Sequence, residues 1–493
     1  MIKKNKLIII SIFFLLIICV SLFLNKNFIK DQSIILLGKL KFPMSRVVQL
    51  EKTFNYNLGI VDQQLLALNQ QYEYLKKIND ASVNRINTLA QQYLELLKNN
   101  TKFLVKKGKK LTTSNKKNYR LTTQSYYLNS LGYSVTSKPT GYIASNDNLI
   151  FFADTFGNII FFTREMLGEN KIDIKYIDSN IKEIIIDPRF YTIASSIEKD
   201  GSRWMSIKGF IVINDYIYLS FTNTKSKDCY NTEILRAKLN LNKLNFETFF
   251  AYDECANAKI DTFHGLQGGG YMALVDDNRM LFSIGDFRKY TKPQNIKSLL
   301  GKIIEINLSD ASYKVLSLGH RNPQGLYFDK INNLVYSTEH GPKGGDELNV
   351  QDYDNKIINN FGWPVSSYGN HYDGKKRANA PLHKSHTKYG FKEPIKYFEV
   401  SPGIAATTKL YTDKEYSKDG IDTIIVLTQG GTNKKMNKSL HFFDIDKKLV
   451  VDHDYYQINN RLRDIIHLEK NNYLLVGEEP SELIYLNVSE LNQ

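Results

Sequence analysis

The residues that could do chemistry are concentrated between His320 and Tyr368. The chain reads G-H-R-N-P-Q-G-L from Gly319, E-H-G-P-K-G-G-D-E-L-N from Glu339 and F-G-W-P from Phe361, with R-L-R-D much later at Arg461 to Asp464. Glycine, proline and charge crowd between short apolar runs such as Leu334 to Tyr336, the signature of strand ends feeding elaborate loops. Arg321, Arg461 and Arg463 offer forked guanidinium donors and Asn322 an amide, which suits oxygen-rich anionic ligands. Each also has a plainer role. Arg321 and Asn322 can cap a strand end, Asp346 and Glu347 can close a turn, and Arg461 can pair with Asp464.

These loops need a platform. After residue 120 the sequence becomes short runs of β-branched and aromatic residues separated by Gly, Asn and Asp. Leu149 to Ala153 with Ile159 to Phe162 predicts one hairpin, and Phe210 to Ile213 with Tyr216 to Phe221 another. Further strands are expected at Met280 to Ile284, Lys302 to Ile306, Leu334 to Ser337, Thr423 to Leu427, Leu440 to Phe443 and Tyr473 to Val476. Strands at this spacing over residues 121–490, without long helices, fit an all-β propeller better than a sandwich. Loops on one propeller face converge on its axis, so residues from His264 to Arg463 can share one site.

The N-terminal part reads differently. Lysines at positions 3, 4 and 6 precede an apolar run, Leu7 to Leu24, long enough to span a bilayer as a helix and followed by no small-residue cleavage site. Residues 1–27 are therefore expected to be a single-pass signal anchor in the cytoplasmic membrane, with the C-terminal bulk periplasmic or extracellular. Residues 45–105 predict a helical stalk. Leu58, Val61, Leu65, Leu68, Tyr72 and Leu75 begin an a/d heptad pattern that Asn79 interrupts and that continues to Phe103, as in a coiled coil that makes a homo-oligomer. An amphipathic helix lying on the protein's own body is the other reading. Residues 106–120, K-K-G-K-K-L-T-T-S-N-K-K-N-Y-R, are expected to be a basic linker.

The chain has 493 residues and a net charge of +14, but its basic residues are scattered and no nucleic-acid-binding module is present, so no nucleic-acid partner is expected. Of its three cysteines, Cys19 lies in the apolar run, and Cys229 and Cys255 are either a disulfide or two thiols.

In order and wording, the motifs at Gly319, Glu339, Phe361 and Arg461, supported by S-I-G-D at Ser283 and L-L-G-K-I at Leu299, resemble the soluble quinoprotein glucose and sorbosone dehydrogenases, including aldose sugar dehydrogenases. The resemblance implies a six-bladed propeller that binds pyrroloquinoline quinone (PQQ) and calcium on its axis and oxidises aldose sugars, passing electrons to an external acceptor. It implies that Arg321, Asn322, Arg461 and Arg463 hold the cofactor. The backbone carbonyls of Gly341 and Pro342 would hold calcium, with the acidic Asp346 near it.

The resemblance fails at the catalytic base. The family places a histidine two residues before a G-G-R-L segment, whereas this chain reads F-H-G-L-Q-G-G-G-Y-M from Phe263. Without gaps, Gln267 occupies the histidine's position and Tyr271 the arginine's. His264, three residues upstream, is the candidate base, and glutamine is no general base near neutral pH. A family lysine also falls on Gly430, with Lys434 and Lys435 slightly later. These departures keep open a catalytically silent propeller that binds a sugar, a glycan or a protein.

Overall fold

The structure, a computed structural model, falls into two compact units, residues 1–101 and 102–493. It describes residues 103–113, 119–128, 141–191, 204–260, 262–354, 356–411, 420–433 and 435–490. The expected membrane anchor and most of the expected stalk lie outside these residues. No helix of the described residues is long and apolar enough to cross a membrane.

Six mainly antiparallel sheets form among the described residues, two of them with one short parallel strand at an edge. Their innermost strands are Gly141–Asn146, Ile207–Ile213, Gly269–Asp276, Pro323–Asp329, Ile404–Lys409 and Leu462–Glu469. Each packs against the next, and the last packs against the first, so the sheets are the blades of a closed six-bladed propeller. Each expected hairpin is present: Leu149–Asp154 pairs with Ile159–Thr163, and Ile207–Ile213 with Tyr216–Ser226. Asp147 and Asn214 take left-handed φ values of 43° and 51° in the blade turns, where Asn and Asp are tolerated.

The core lies between blades. Phe250, Phe282 and Ile304 fill the gap between the second and third, and Ile425, Phe442 and Leu475 that between the fifth and sixth. Apolar side chains on both faces of each sheet therefore leave water, and the ring is held by six such seams.

The sixth blade corrects one expectation. Residues 106–113 and 119–120, expected to be linker, are strand, and the helical stalk cannot extend through Phe103 to Val105. Phe103–Thr113 is a strand that pairs with Tyr119–Tyr127, and the latter pairs along its length with Ser481–Glu490. The two ends of the propeller sequence thus close its ring. Backbone pairing to a strand more than 350 residues away overrides the local lysine-rich composition. Lys107, Lys109 and Lys110 fall on the strand beyond the short pairing of Phe103–Val105 with Lys171–Asp173, at an open sheet edge, where charge discourages edge-to-edge association. Cys229 and Cys255 form a disulfide with Cα atoms 5.4 Å apart.

Candidate functional site: a cationic cup on the propeller axis

Loops from all six blades surround one cup of about 460 Å³. It receives every residue singled out from the sequence as a site candidate: His264, Gln267, Arg321, Asn322, Gly341, Pro342, Asp346, Arg461 and Arg463.

The E-H-G-P-K-G-G-D loop forms one wall. Gly341 has no room for a side chain, because a Cβ there would stand 2.1 Å from the Gly345 carbonyl oxygen. Gly344 and Gly345 turn the loop with φ of 80° and 71°, which glycine adopts without strain. Asp346 clasps the turn. Its Oδ1 accepts from Gly341 N (3.0 Å) and Ser401 Oγ (2.8 Å), and its Oδ2 from Gly403 N (2.9 Å) and Ile404 N (3.2 Å). Four donors use the lone-pair positions of a carboxylate, so Asp346 secures the loop to the next blade. The Gly341 and Pro342 residues themselves line the cup.

Arg321 and Asn322 enter from the start of the fourth blade. The Arg321 amide donates to Glu339 Oε2 (2.8 Å), and its guanidinium donates to the His340 carbonyl (2.8 Å). With its amide oriented to suit both neighbours, Gln267 accepts from Arg321 Nη2 (2.8 Å) and donates to Asp286 Oδ1 (3.0 Å). Gln267 is thus a brace between an acid and a base. Burial pushes Asp286 up to about 6, against the opposing pull of Arg321. Asn322 Oδ1 accepts from Gly269 N (3.1 Å), which holds the Gln267 loop to the fourth blade.

Arg461 and Arg463 share Glu478 and not Asp464. Arg461 Nε donates to Glu478 Oε2 (3.1 Å) and Arg463 Nε to Oε1 (2.6 Å). Asp464 instead accepts from Tyr271 Oη (2.7 Å) and Ile143 N (2.9 Å), so the tyrosine at the family's arginine position is a strut to the first and sixth blades. Both arginines also donate to Gln429 Oε1, leaving Gln429 Nε2 buried without an acceptor at the cup wall.

His340 lines the cup, and burial, with Arg321, Arg463 and Arg461 nearby, lowers it to about 4 despite Asp346, so its ring is neutral at pH 7. Its Nδ1 lies 3.9 Å from Asp346 Oδ1, too far for a hydrogen bond. His320 is fully buried between Ser317 and Glu339 and belongs to the core.

Sequence reasoning missed three cup residues. Lys208 lines the cup from the second blade, packed against Gly270, and burial with Arg463 nearby lowers it to about 7. It makes no hydrogen bond or ion pair among the described residues. Gln429 and Glu478 are the others, and none of the three stands in a local motif. Gly430 also lines the cup, whereas Lys435 is exposed outside it and Lys434 lies outside the described residues.

The second to sixth blades of this closed propeller deliver arginine, lysine and amide donors to one axial cup. The family profile for glucose/sorbosone dehydrogenase matches residues 210–485, more than half of the chain, and the chain belongs to that family. The aldose sugar dehydrogenase YliI of Escherichia coli (strain K12) is 28% identical over 159 residues, which are 30% of this chain and 41% of that one. Quinoprotein glucose dehydrogenase B of Acinetobacter calcoaceticus is 28% identical over 197 residues, 31% of this chain and 38% of that one. The matches thus span less than half of either relative. The apo soluble aldose sugar dehydrogenase from Escherichia coli superposes with a TM-score of 0.55 at 18% identity, covering 74% of this chain and 99% of that one, and so shares the fold.

Proposed function

We propose that this chain is a quinoprotein sugar dehydrogenase that binds PQQ and calcium in the axial cup and oxidises aldose sugars. The observation that carries this reading is the set of donors there that no carboxylate meets. Arg321 and Lys208 have no carboxylate within 4.0 Å among the described residues, and Gln429 Nε2 is an orphaned buried donor. A ligand with several carboxylates and carbonyl oxygens satisfies all three, so the residues fit PQQ. Arg321, Asn322, Arg461 and Arg463 would hold it. Main-chain oxygens of Gly341 and Pro342 suit calcium, and Asp346 serves this wall as the clasp behind it.

When bound, the quinone supplies the two-electron acceptor and calcium polarises it. His264 takes the proton from the sugar hydroxyl. The Arg321–Gln267–Asp286 chain braces the floor of the cup. An external acceptor then removes the electrons. The disulfide and the apolar N-terminal run support a membrane-anchored protein facing an oxidising compartment, and the heptads of residues 45–101 support oligomerisation through the stalk.

The test is dye reduction by the full chain with calcium, PQQ and a panel of aldoses. His264→Ala should lower kcat by about 10²- to 10⁴-fold with quinone affinity unchanged; an unaltered rate removes His264 from the mechanism. The hold of Arg321 and Asp286 on Gln267, at the family's base position, favours a second reading, a silent propeller. Quinone binding without turnover of any aldose would establish it.

Lys208 makes binding pH-dependent. An anion bound beside it raises its pKa, so its contribution to affinity is complete below about pH 7 and is lost as pH rises from there through the higher value that the bound state sets. PQQ titrations from pH 6 to pH 9 should show affinity falling with pH, and Lys208→Met should flatten the profile. Parallel profiles for the two proteins would contradict this role.

A further inference from the structure

A second cleft, of about 140 Å³, opens beside the cup and shares Arg321, Pro342 and Tyr372 with it. We propose that it is a subsite for the carboxylate-bearing unit of an acidic sugar, gripped by Arg288; this rests on the sugar-dehydrogenase reading for its role but not for its chemistry.

Charge is the first observation. Three guanidiniums face the cleft, those of Arg288, Arg321 and Arg377, and one lining carboxylate, Asp373. Asp373 is committed to Arg377, with Oδ2 2.7 Å from Nη2 and Oδ1 3.1 Å from Nη1. Arg321 gives its protons to neutral oxygens, and the side chain of Arg288 has no hydrogen bond or ion pair among the described residues. The buried acid behind the cleft, Asp286, accepts from Arg288 N, Gln267 and Trp363 Nε1. Two guanidiniums thus stand partly desolvated with no carboxylate within 4.0 Å among the described residues, Asp286 attracting both from farther off while its own hydrogen bonds go elsewhere, an arrangement that an anion relieves.

The backbone is the second. Phe287 and Arg288 are consecutive non-glycine residues in the left-handed region, with φ of 48° and 63°. Such residues are uncommon and cost free energy, and they persist where the surroundings impose them. Here Phe287 is fully buried, Asp286 Oδ1 accepts from Arg288 N at 2.7 Å, and Thr262 Oγ1 donates to the Arg288 carbonyl at 2.6 Å. The turn holds the guanidinium over the cleft.

Aromatic walls are the third. Trp363 is pinned through Nε1 to Asp286 Oδ2 at 2.7 Å, Tyr290 meets it edge-on at 5.9 Å, and Tyr372, exposed, stands at the mouth. Rigid aromatic faces beside forked cations suit a pyranose, whose C–H face packs on a ring while its carboxylate meets arginine. The space takes about one sugar unit and is too small for a tricyclic quinone, so these cations are not a second copy of the cofactor's cup.

The test is calorimetry on the full chain in detergent, without and with calcium and PQQ, using D-glucuronate, D-glucose and glucose 6-phosphate as probes. Glucuronate should bind more tightly than glucose, and Arg288→Met should weaken glucuronate by at least about tenfold while leaving glucose unchanged. Arg288→Lys, which keeps the charge and loses the fork, should fall between, and serves if the methionine variant does not fold. Equal binding of glucuronate and glucose overturns the subsite, as does tighter binding of glucose 6-phosphate, which would assign it to phosphosugars. A loss of quinone affinity in Arg288→Met with glucuronate unaltered also overturns it. Arg288-dependent glucuronate binding in a protein that oxidises no sugar would sink the dehydrogenase reading and leave the subsite standing.

Discussion

Replacing Arg321 by Met is expected to weaken PQQ binding by about 100-fold or more and to remove sugar-dependent dye reduction with it. Arg321 is only 6% exposed, and no carboxylate lies within 4.0 Å of its guanidinium among the described residues, so a bound anion is its strongest available direct partner. A charge-assisted bond to a buried ligand contributes about 1.5–3 kcal/mol, and leaving the ligand's carboxylate unpaired in the cup costs more. The same guanidinium braces the Gln267 amide and the His340 carbonyl and lies 5.4 Å from the Trp363 ring, so its loss also loosens the floor of the cup. Quinone titration followed by fluorescence reads the first effect without relying on turnover. Affinity within threefold of the native protein would show that the ligand sits elsewhere or is not an anion.

Much of this site was legible because its motifs are long and ordered, and because propeller loops converge. Strand positions followed from β-branched and aromatic runs, which local composition reports well. What stayed hidden depends on pairing across the chain. Phe103–Thr113 reads as the end of a heptad pattern and a basic linker, and only its hairpin with Tyr119–Tyr127 makes it a strand. Lys208 and Gln429 come from other blades than Arg461 and Arg463 and stand in no motif, so closure of the ring brings them to these arginines, whereas Glu478 meets them across the hairpin of the sixth blade. The role of Gln267 was likewise invisible, since its neighbours Asp286 and Arg321 are 19 and 54 positions downstream.

Asp346 is where the two kinds of reading diverge most, and it yields the sharpest stability test. Family order places it beside a metal, whereas its four hydrogen bonds make it a clasp between the fourth and fifth blades. Three of its donors are buried main-chain N–H groups, those of Gly341, Gly403 and Ile404, and Asp346→Ala leaves them without an acceptor. Each unsatisfied buried donor costs about 1–3 kcal/mol, and the losses overlap because water entering the cavity can serve more than one, so a net destabilisation of about 3–5 kcal/mol is expected. Asp346→Asn should fall short of this, since its carbonyl oxygen still serves one pair of donors while its amide nitrogen faces the other. Denaturant unfolding in EDTA separates the two roles. A clasp is lost whether or not calcium is present, so the midpoint should fall by the same amount in EDTA and in calcium. A ligand matters only to the loaded protein, and a midpoint unchanged in EDTA but lowered in calcium would return Asp346 to the metal.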